Sequence, residues 1–343
     1  MNTVDERDLS ILYELSLDSR QPFGRIAKKV DMSRQAVSDR VKRLLQSGVI
    51  RGFITEVDAK PLGLTKNVVY LELMGATKEK EEEIQKVLLS NPYVCWIDLA
   101  TGRWNFIFDL YSRDSDHLAV LIDRLKENVG ECLEDLALVS LRNHEHFIYK
   151  YFSTERPSER SQLSEKIVLD GRDLVILRHL SENSRCSLSP IARETGLTPE
   201  TVSRRINVLV EAGVIRRFTL FVDISKLGYE LYNVQISLTA PNKSDEKGII
   251  EYLTKHPKVS YCEMLITHWN IEFGVFIRHP DELRDVIREL RGAFPRKIRV
   301  TDTHLFYDEL SSIALPEGAF RGSRDNPDES QELMVAMAGT EKR

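Results

Sequence analysis

The chain has 343 residues, of which 42% are hydrophobic and 29% charged, and its formal net charge at pH 7 is −5. This composition is typical of a soluble globular protein of two to four domains, and no apolar run reaches the ~18 residues of a membrane span. The negative charge excludes capture of nucleic acid by overall charge, so any such binding needs a local basic surface. A polar start without a signal peptide and four scattered cysteines without a CxxC pair favour a reducing, cytoplasmic location.

The most informative pattern is an internal repeat with an offset of 165 residues. VDERDLSILYELSLDSR from Val4 returns as LDGRDLVILRHLSENSR from Leu169, and SGVIRGFITEVDAKPLG from Ser47 returns as AGVIRRFTLFVDISKLG from Ala212. About 25 of roughly 61 positions match without a gap over this region. Each unit is too long for a solenoid repeat, so the pattern predicts a duplicated module of two domains.

The first part of each repeat predicts a helix-turn-helix domain. Apolar residues recur at helical spacing from Leu9, and a second short helix is predicted over Phe23–Val30. Ser33 and Thr198 are good N-caps for a third helix, which in the first copy runs from about Arg34 to Gln46. A helix, a short helix, a turn and a capped helix follow one another in helix-turn-helix domains, whose last helix enters the major groove of DNA.

The third helix has one apolar face, and the residues outside it are predicted to contact DNA. At 100° per residue, Val37, Val41, Leu44 and Leu45 share the inward face. Gln, Asn and Arg can bond base edges, while Lys and Arg pair with phosphates. The predicted DNA-binding residues are Ser33, Arg34, Gln35, Ser38, Asp39, Lys42 and Arg43 in the first copy and Thr198, Glu200, Thr201, Ser203, Arg204 and Asn207 in the second. The alternative is a solvated helix face in a helical bundle.

The two helix-turn-helix domains differ in charge. The segment from Arg25 to Arg51 has a net charge of about +6, whereas the segment from Pro190 to Arg216 has about +1. Release of counterions from DNA therefore predicts that the first domain supplies more of the salt-dependent affinity. Our hypothesis is that the second domain binds more weakly or depends on the first for its local concentration.

The second part of each repeat predicts a ferredoxin-like domain with the order βαββαβ. In the first copy the elements are a strand from Asn67, a helix at Glu81–Ser90, strands at Val94–Leu99 and Trp104–Tyr111, a helix at Asp116–Asn128 and a strand at Leu136–Leu141, and the second copy repeats them from Val234 to Phe306. Helices cover one face of such a sheet, so the other face is expected to pair with a second sheet.

These elements predict an α+β protein of six segments. They are a helix-turn-helix domain (1–64), a ferredoxin-like ligand-binding domain (65–152), a linker (153–166), a second helix-turn-helix domain (167–229), a second ferredoxin-like domain (230–310) and a tail (311–343). The linker is polar and charged, and the tail contains several Pro and Gly residues. We expect the tail to be disordered, with a short helix near Leu333–Ala338 as the alternative.

Taken together, these patterns resemble the Lrp/AsnC family of feast/famine regulators. The residues that carry the resemblance are D-x-R-D-L, IL, SR, IA, GVIR-x-F, VD and LG in both copies, together with Thr101-Gly102-Arg103-Trp104-Asn105. The resemblance implies transcriptional regulators that bind double-stranded DNA, often respond to amino acids, and form homo-oligomers through their ferredoxin-like domains. The family usually has one unit per chain, so this duplication predicts a chain that mimics a dimer and reads two non-identical half-sites.

The resemblance also implies a loop for a small effector. The family's loop resembles T-G-x-[YW]-D between two strands, which implies effector-binding residues at Thr101, Gly102 and Asn105 in the first copy and at Thr267 and Asn270 in the second. Asn105 replaces the aspartate, so the carboxylate that would meet an amino group is absent, and the second copy also lacks the glycine. A plain strand turn with a core tryptophan is the alternative.

The sequence patterns that would support three other functions are weaker. Sirohaem decarboxylases share this two-part architecture, and Trp104-Asn105-Phe106 is similar to one of their strands, but their H-N-Y-x-R pattern is absent. His144 and His146 suggest a metal site, although without a third ligand a solvated edge strand is favoured. Cys132 and Cys186 could be redox switches, but ordinary thiols are favoured. No P-loop, nucleophile elbow or dinucleotide fingerprint is present, so no enzymatic activity, cofactor or metal is predicted.

Overall fold

The computed structural model describes residues 4–153, 167–311 and 315–320. The first repeat contains α1 (Glu6–Leu17), α2 (Phe23–Lys29), α3 (Arg34–Gln46), β1 (Ile50–Val57), β2 (Thr65–Leu73), α4 (Lys78–Ser90), β3 (Val94–Ala100), β4 (Phe106–Ser112), α5 (Ser115–Val129) and β5 (Leu133–His146). The second contains α6 (Gly171–Glu182), α7 (Leu188–Thr195), α8 (Pro199–Glu211), β6 (Ile215–Val222), β7 (Glu230–Leu238), α9 (Lys243–Lys255), β8 (Val259–Ile266), β9 (Ile271–Ile277), α10 (Pro280–Ala293) and β10 (Ile298–Ser311). The predicted α+β fold, with two helix-turn-helix and two ferredoxin-like domains in tandem, is confirmed.

The first helix of each helix-turn-helix domain begins with a capping box. Asp5 accepts a hydrogen bond of 2.8 Å from the backbone N–H of Asp8, and the Asp8 carboxylate accepts one of 3.1 Å from the N–H of Asp5. Asp170 and Asp173 form the same pair of bonds at the start of α6. The four otherwise unsatisfied N–H groups of a helix start favour such acidic caps, so the repeated D-x-x-D spacing sets both helix starts.

The three helices of each helix-turn-helix domain pack around one apolar core. In the first domain it contains Ile11, Leu12, Leu15, Ile26, Val37, Val41 and Leu44, all at most 2% exposed. Leu45, which the helical periodicity placed on the inward face, is 39% exposed. The prediction for Leu45 is wrong because α3 packs against α1, α2 and β1 along a narrow stripe that Val37, Val41 and Leu44 already fill.

A two-stranded ribbon joins the two helix-turn-helix domains. β1 and β6 pair in antiparallel fashion, α1 packs on β6, and α6 packs on β1. The N–H of Ser19 donates to the Phe218 carbonyl over 2.9 Å, and the N–H of Ser184 donates to the Phe53 carbonyl over 2.8 Å. The hydroxyls of Ser19 and Ser184 lie 2.6 Å apart and share a hydrogen bond. Since these serines are equivalent positions of the two repeats, this contact marks a pseudo-two-fold axis.

Two equivalent arginines reinforce this junction. The Arg20 guanidinium donates to the Ser184 carbonyl, and the Arg185 guanidinium donates to the Ser19 carbonyl. Arg185 also lies 4.4 Å from the centre of the Phe23 ring, within the range of a cation–π contact. Each helix-turn-helix domain is thus bonded to the other rather than only tethered through the chain.

The two ferredoxin-like sheets close into one barrel of eight strands. The strand order is β10-β3-β4-β2-β5-β8-β9-β7, and β7 pairs with β10. The pairs β5–β8 and β3–β10 connect the two repeats. The faces without helices therefore meet inside the barrel, as the expected pairing of sheets requires, and closure leaves none of these strands with a free edge.

An aromatic cluster lies inside the barrel at the β3–β4 and β8–β9 turns. Trp104 and Trp269 are 1% and 5% exposed, with ring centres 6.4 Å apart. The ring of Tyr70 lies 5.6 Å from Trp104 and 5.8 Å from Trp269. Both tryptophans of the predicted effector loops are therefore core residues.

Two segments differ from the sequence-based expectation. The strand β5 extends to His146 and pairs with both β2 and β8, so His144 and His146 are not on an edge strand. Leu315–Phe320, expected within a disordered tail, instead packs on the protein: Leu315 is 1% exposed, and the N–H of Gly318 donates to the Pro92 carbonyl over 2.6 Å. Residues 154–166 and 321–343, which include the predicted helix near residue 333, lie outside the described residues.

Within the described ranges, every helix is too short or too polar to cross a lipid bilayer. The same residues contain no group of three or more His, Cys, Asp or Glu side chains arranged to hold a metal ion.

Candidate nucleic-acid interface

The third helix of the first domain presents the predicted DNA-binding residues at its surface. Ser33 caps α3, since its hydroxyl accepts a hydrogen bond of 3.1 Å from the Ala36 N–H. Arg34, Gln35, Asp39 and Lys42 are exposed, and Ser38 is half-buried. The Gln35 amide donates to the Asp39 carboxylate over 2.9 Å, so these two side chains form one polar unit on the exposed face.

Arg43 has a different environment from its exposed neighbours. Its guanidinium lies 2.5 Å from the Asp8 carboxylate, which is fully buried, and Arg40 binds the same carboxylate over 2.8 Å. The hydrogen bond from Arg40 also lowers the pKa of Asp5. These contacts fix α3 against the start of α1, so Arg43 is in part a structural residue, and its predicted contact with DNA stays a prediction.

The second domain repeats this arrangement with different side chains. Thr198 caps α8 by accepting a hydrogen bond of 3.2 Å from the Thr201 N–H. The exposed face carries Glu200, Ser203, Arg204 and Asn207, and Thr201 is half-buried. The counterpart of the Arg40–Asp8 pair is Arg205, which lies 2.7 Å from Asp173 and 2.9 Å from Asp170.

The two domains offer different numbers of cations to a phosphate backbone. On α2 and α3 of the first, four exposed cations form no ion pair with the described residues: Arg25, Lys28, Arg34 and Lys42. On α7 and α8 of the second, the corresponding set is Arg193 and Arg204, because Arg205 is paired. The charge difference seen in the sequence therefore persists after the internal ion pairs are removed.

The residues predicted to bind an effector have structural partners. The Asn105 side-chain oxygen accepts a hydrogen bond of 2.7 Å from the Leu73 N–H, and Asn270 accepts an identical bond from the Leu238 N–H. The Thr101 N–H donates to the Leu305 carbonyl over 2.9 Å. These bonds tie each β-turn to the end of a neighbouring strand. Gly102 has φ +103°, which favours glycine, and the hydroxyl of Thr267 lies 3.2 Å from the ring of its neighbour His268.

Replacing Asn105 with alanine is expected to lower the free energy of unfolding by about 1–2 kcal/mol, because the Leu73 N–H would lose its acceptor. Chemical denaturation of both proteins measures this difference. Thr267→Ala is the matched control in the other repeat, with an expected effect within about 0.5 kcal/mol. Unchanged stability in Asn105→Ala would contradict the structural role.

The barrel interior contains a group of buried charges that sequence reasoning missed. Asp98, Asp109, Glu263 and Glu272 are each at most 8% exposed and line a cavity of about 210 Å³. Lys66 Nζ lies 2.8 Å from Asp109 Oδ2 and 3.6 Å from Glu263 Oε1. The signal in the sequence was a single acidic residue within each of two apolar strands, FIFDLYS and IEFGVFI.

Burial changes the titration of these carboxyls. Loss of hydration raises the pKa of Asp109 to about 6, even though Lys66 opposes the change. It raises the pKa of Glu272 to about 7, assisted by the neighbouring charge of Glu263. The pKa of Asp98 is also raised, mainly by burial. The interior therefore changes charge near neutral pH.

The histidines and cysteines give no support for the alternative sites. His146 lines the same cavity, and burial lowers its pKa to about 3, so the ring is neutral at physiological pH. Its ring centre lies 5.8 Å from that of His144, without a third ligand of a metal site among the described residues. Cys132 and Cys186 are free, half-buried thiols.

The architecture defines a class: two winged helix-turn-helix domains held about a pseudo-two-fold axis by a closed barrel of paired ferredoxin-like domains. A family model for a winged helix-turn-helix DNA-binding domain matches residues 4–51 and 169–216. The transcriptional regulator AzlB of Bacillus subtilis is 37% identical over 151 residues, which are 44% of this chain and 96% of AzlB. The regulator LrpA of Pyrococcus horikoshii is 35% identical over 119 residues, covering 35% of this chain and 83% of LrpA. The chain belongs to the Lrp/AsnC family.

Solved structures that match the tandem arrangement include that of a sirohaem decarboxylase. The sirohaem decarboxylase NirDL superposes with a TM-score of 0.60 at 16% identity, covering 97% of this chain and 100% of NirDL. At this identity the likeness shows the fold alone, and it extends over both repeats of this chain.

Proposed function

We propose that this protein is a sequence-specific regulator of transcription that binds double-stranded DNA, with both DNA-binding domains of a dimeric regulator in one chain. The observation that carries the proposal is the reciprocal junction at Ser19 and Ser184, which fixes the two domains about a pseudo-two-fold axis while α3 and α8 keep exposed polar faces. A fixed pair of recognition helices fits two half-sites at a defined spacing, about one helical turn of DNA or a multiple of it.

The two half-sites should differ in sequence. The exposed face of α3 presents Gln35 and Lys42, whereas α8 presents Arg204 and Asn207 at its surface. Gln and Asn prefer adenine and Arg prefers guanine in bidentate contacts. The proposed operator is therefore a pair of dissimilar half-sites rather than a perfect palindrome.

Selection of bound fragments from random and genomic DNA tests this proposal. We expect an enriched site with two dissimilar halves at constant spacing. Gln35→Ala should relax the base preference in one half and Arg204→Ala in the other, by about 1–3 kcal/mol each. The absence of any preferred fragment in dilute buffer, or the same change from both variants, would contradict the proposal.

Assembly and effector response extend this proposal. Every barrel strand is paired on both sides, so contacts between chains would use the helical faces, where Leu89 and Val120 are exposed. We propose homo-oligomers of this kind, located in the cytoplasm, whose occupancy of promoters changes with an amino acid or another small effector. Footprinting of genomic DNA with and without added amino acids tests the response.

The enzymatic alternative has one observation in its favour and one against it. The NirDL fold covers the whole chain, and a solved complex of NirDL holds an iron-uroporphyrin III analogue. The interior here offers four buried carboxylates and one lysine, which would repel the carboxylates of such a ring. The residues present do not fit that substrate, and we propose no reaction. Titration with iron-uroporphyrin should give only the absorbance of the free compound.

A further inference from the structure

The barrel cavity has more hydrogen-bond acceptors than donors. Asp98, Asp109, Glu263 and Glu272 contribute carboxylates from four strands, and a fifth, Glu309, lies beside Asp98 in the β3–β10 register. The cations near the cavity are Lys66, which is paired with two of these acids, and Arg51, whose guanidinium donates to the Glu309 backbone carbonyl. Formally ionised, five acids outnumber the one buried lysine, which favours an additional cation.

Unpartnered atoms show the same shortage of donors. Asn233 and Gln235 are fully buried, and three acceptors (Asn233 Oδ1, Gln235 Oε1 and Glu309 Oε1) and one donor (Asn233 Nδ2) have no hydrogen-bond partner among the described residues. Both amides lie on the inner face of β7, and the Gln235 amide nitrogen donates to Glu272 over 2.8 Å. Glu309 is the one of these three residues that lines the cavity, and a buried acceptor without a donor costs about 1–3 kcal/mol, so a bound molecule with N–H groups would relieve this cost at Glu309 Oε1.

The cavity walls also suit a cation. Aromatic residues line it together with the acids, among them Trp96, Tyr151, Tyr229 and Tyr261. The face of an aromatic ring attracts an ammonium group, and carboxylates combined with rings select organic cations over anions. A divalent metal fits less well, because the described residues contain no cluster of three metal-binding side chains.

We propose that this cavity is a binding site for a small linear diamine, a molecule with two ammonium groups and no carboxylate. Two positive charges offset the acidic excess better than one. An α-amino acid is disfavoured because its carboxylate would face the same acids, while Lys66 is already paired. The cavity volume of about 210 Å³ limits the molecule to a short chain.

The position of the cavity connects it to the helix-turn-helix domains. Leu220 to Ser225, which are the end of β6 and the following turn, form part of its wall, as does Arg51 of β1. A molecule bound there would contact the ribbon that joins the two domains. Any effect on DNA rests on the function proposed above, whereas binding of the diamine itself does not.

Isothermal titration calorimetry of the full chain with 1,4-diaminobutane at pH 8 and low salt tests the site. We expect saturable binding of one molecule, with affinity at least 10-fold weaker for L-lysine, which carries a carboxylate, and no competition by Mg²⁺. Glu272→Gln and Glu263→Gln should each weaken binding at least 10-fold, whereas Glu131→Gln, an exposed control outside the cavity, should not change it.

No detectable binding of the diamine to the wild-type chain would overturn the proposal. So would equal affinity for L-lysine, or unchanged affinity in both cavity variants. Circular dichroism of each variant confirms that it is folded. Since DNA is absent from this experiment, failure here leaves the proposed regulator intact, and failure to bind DNA leaves the diamine site intact.

Discussion

Replacing Lys28 and Lys42 with glutamine is expected to weaken binding to operator DNA about 60-fold near 0.1 M salt. Removing one phosphate contact reduces the slope of log affinity against log salt by about 0.9, so removing two reduces it by about 1.8. Both side chains are exposed and form no ion pair with the described residues. Their replacement should therefore change DNA binding without changing the fold. Fluorescence anisotropy over a range of salt concentrations measures both the affinity and the slope.

The same experiment on the second domain tests the asymmetry between the two. Arg193 and Arg204 are the exposed cations of α7 and α8 without an ion pair to the described residues. We expect their replacement by glutamine to weaken binding less than 10-fold, since fewer neighbouring cations hold this domain on the phosphate backbone. Arg43 and Arg205 are left unchanged because both bind buried aspartates. Equal losses from the two double variants would refute the asymmetry.

A matched control separates local from overall charge. Lys86 and Lys126 are exposed on α4 and α5, outside the helix-turn-helix domains. Their double replacement by glutamine changes the net charge by the same amount, and we expect less than a 3-fold effect on affinity. A loss as large as that from Lys28 and Lys42 would show that the whole field of the protein, and not a local surface, sets the affinity.

The helix-turn-helix domains were largely predictable because their signals are local. Capping residues, helical periodicity and the Gly after α3 each act within one turn, and the repeat supplied each signal twice. Periodicity could not show which cations of α3 are exposed to DNA and which are held in internal ion pairs. Lys42 and Arg43 are neighbours in sequence, yet one is exposed and the other binds Asp8, which lies 35 residues away. Only packing of α3 on α1 decides between them.

The ferredoxin-like domains show a different limit. Their strands and the pairing of their uncovered faces followed from alternation and the need to bury both sheets. Closure into one barrel could not be predicted in this way, because it depends on β5 and β10, which extend past their predicted ends to pair with β8 and β3. The isolated acids Asp109 and Glu272 in apolar strands were visible in the sequence. Their grouping in one cavity could not be predicted, because it depends on how the strands of the two repeats meet in the barrel.

The stability that Glu272 and Asp109 contribute is expected to fall as pH rises from about 4 to 7, whereas the buried neutral His146 acts in the opposite direction below about pH 6.5. The folded pKa values of Glu272 and Asp109 are about 7 and about 6, above their ordinary values of 4.5 and 3.8. A carboxyl whose pKa is raised on folding binds its proton more tightly in the folded state, so its contribution to stability is lost as pH rises through the folded pKa. One unit corresponds to about 1.4 kcal/mol, so each group can contribute about 3 kcal/mol.

Glu272→Gln isolates this effect. The amide can still accept from the hydroxyl of Tyr70, which contacts Glu272 directly, but it cannot ionise. We expect the variant to be nearly as stable as the wild type at pH 4.5 and more stable by about 3 kcal/mol at pH 8. The control Glu282→Gln should have the opposite sign at pH 8, with a loss of at most about 1 kcal/mol, because Lys258 lies 2.7 Å from Glu282 and lowers its pKa.

Calorimetric unfolding curves of the wild type and the variants at several pH values test this prediction. A stability difference between wild type and Glu272→Gln that stays constant from pH 4.5 to 8, or a variant less stable than wild type at pH 8, would show that the interior acids are not held near neutrality. The same curves connect stability to the cavity. A diamine at 100 times its dissociation constant should restore about 2.7 kcal/mol at pH 8 in the wild type, and much less in Glu272→Gln, because the charge that holds the ligand is the charge that destabilises the empty barrel.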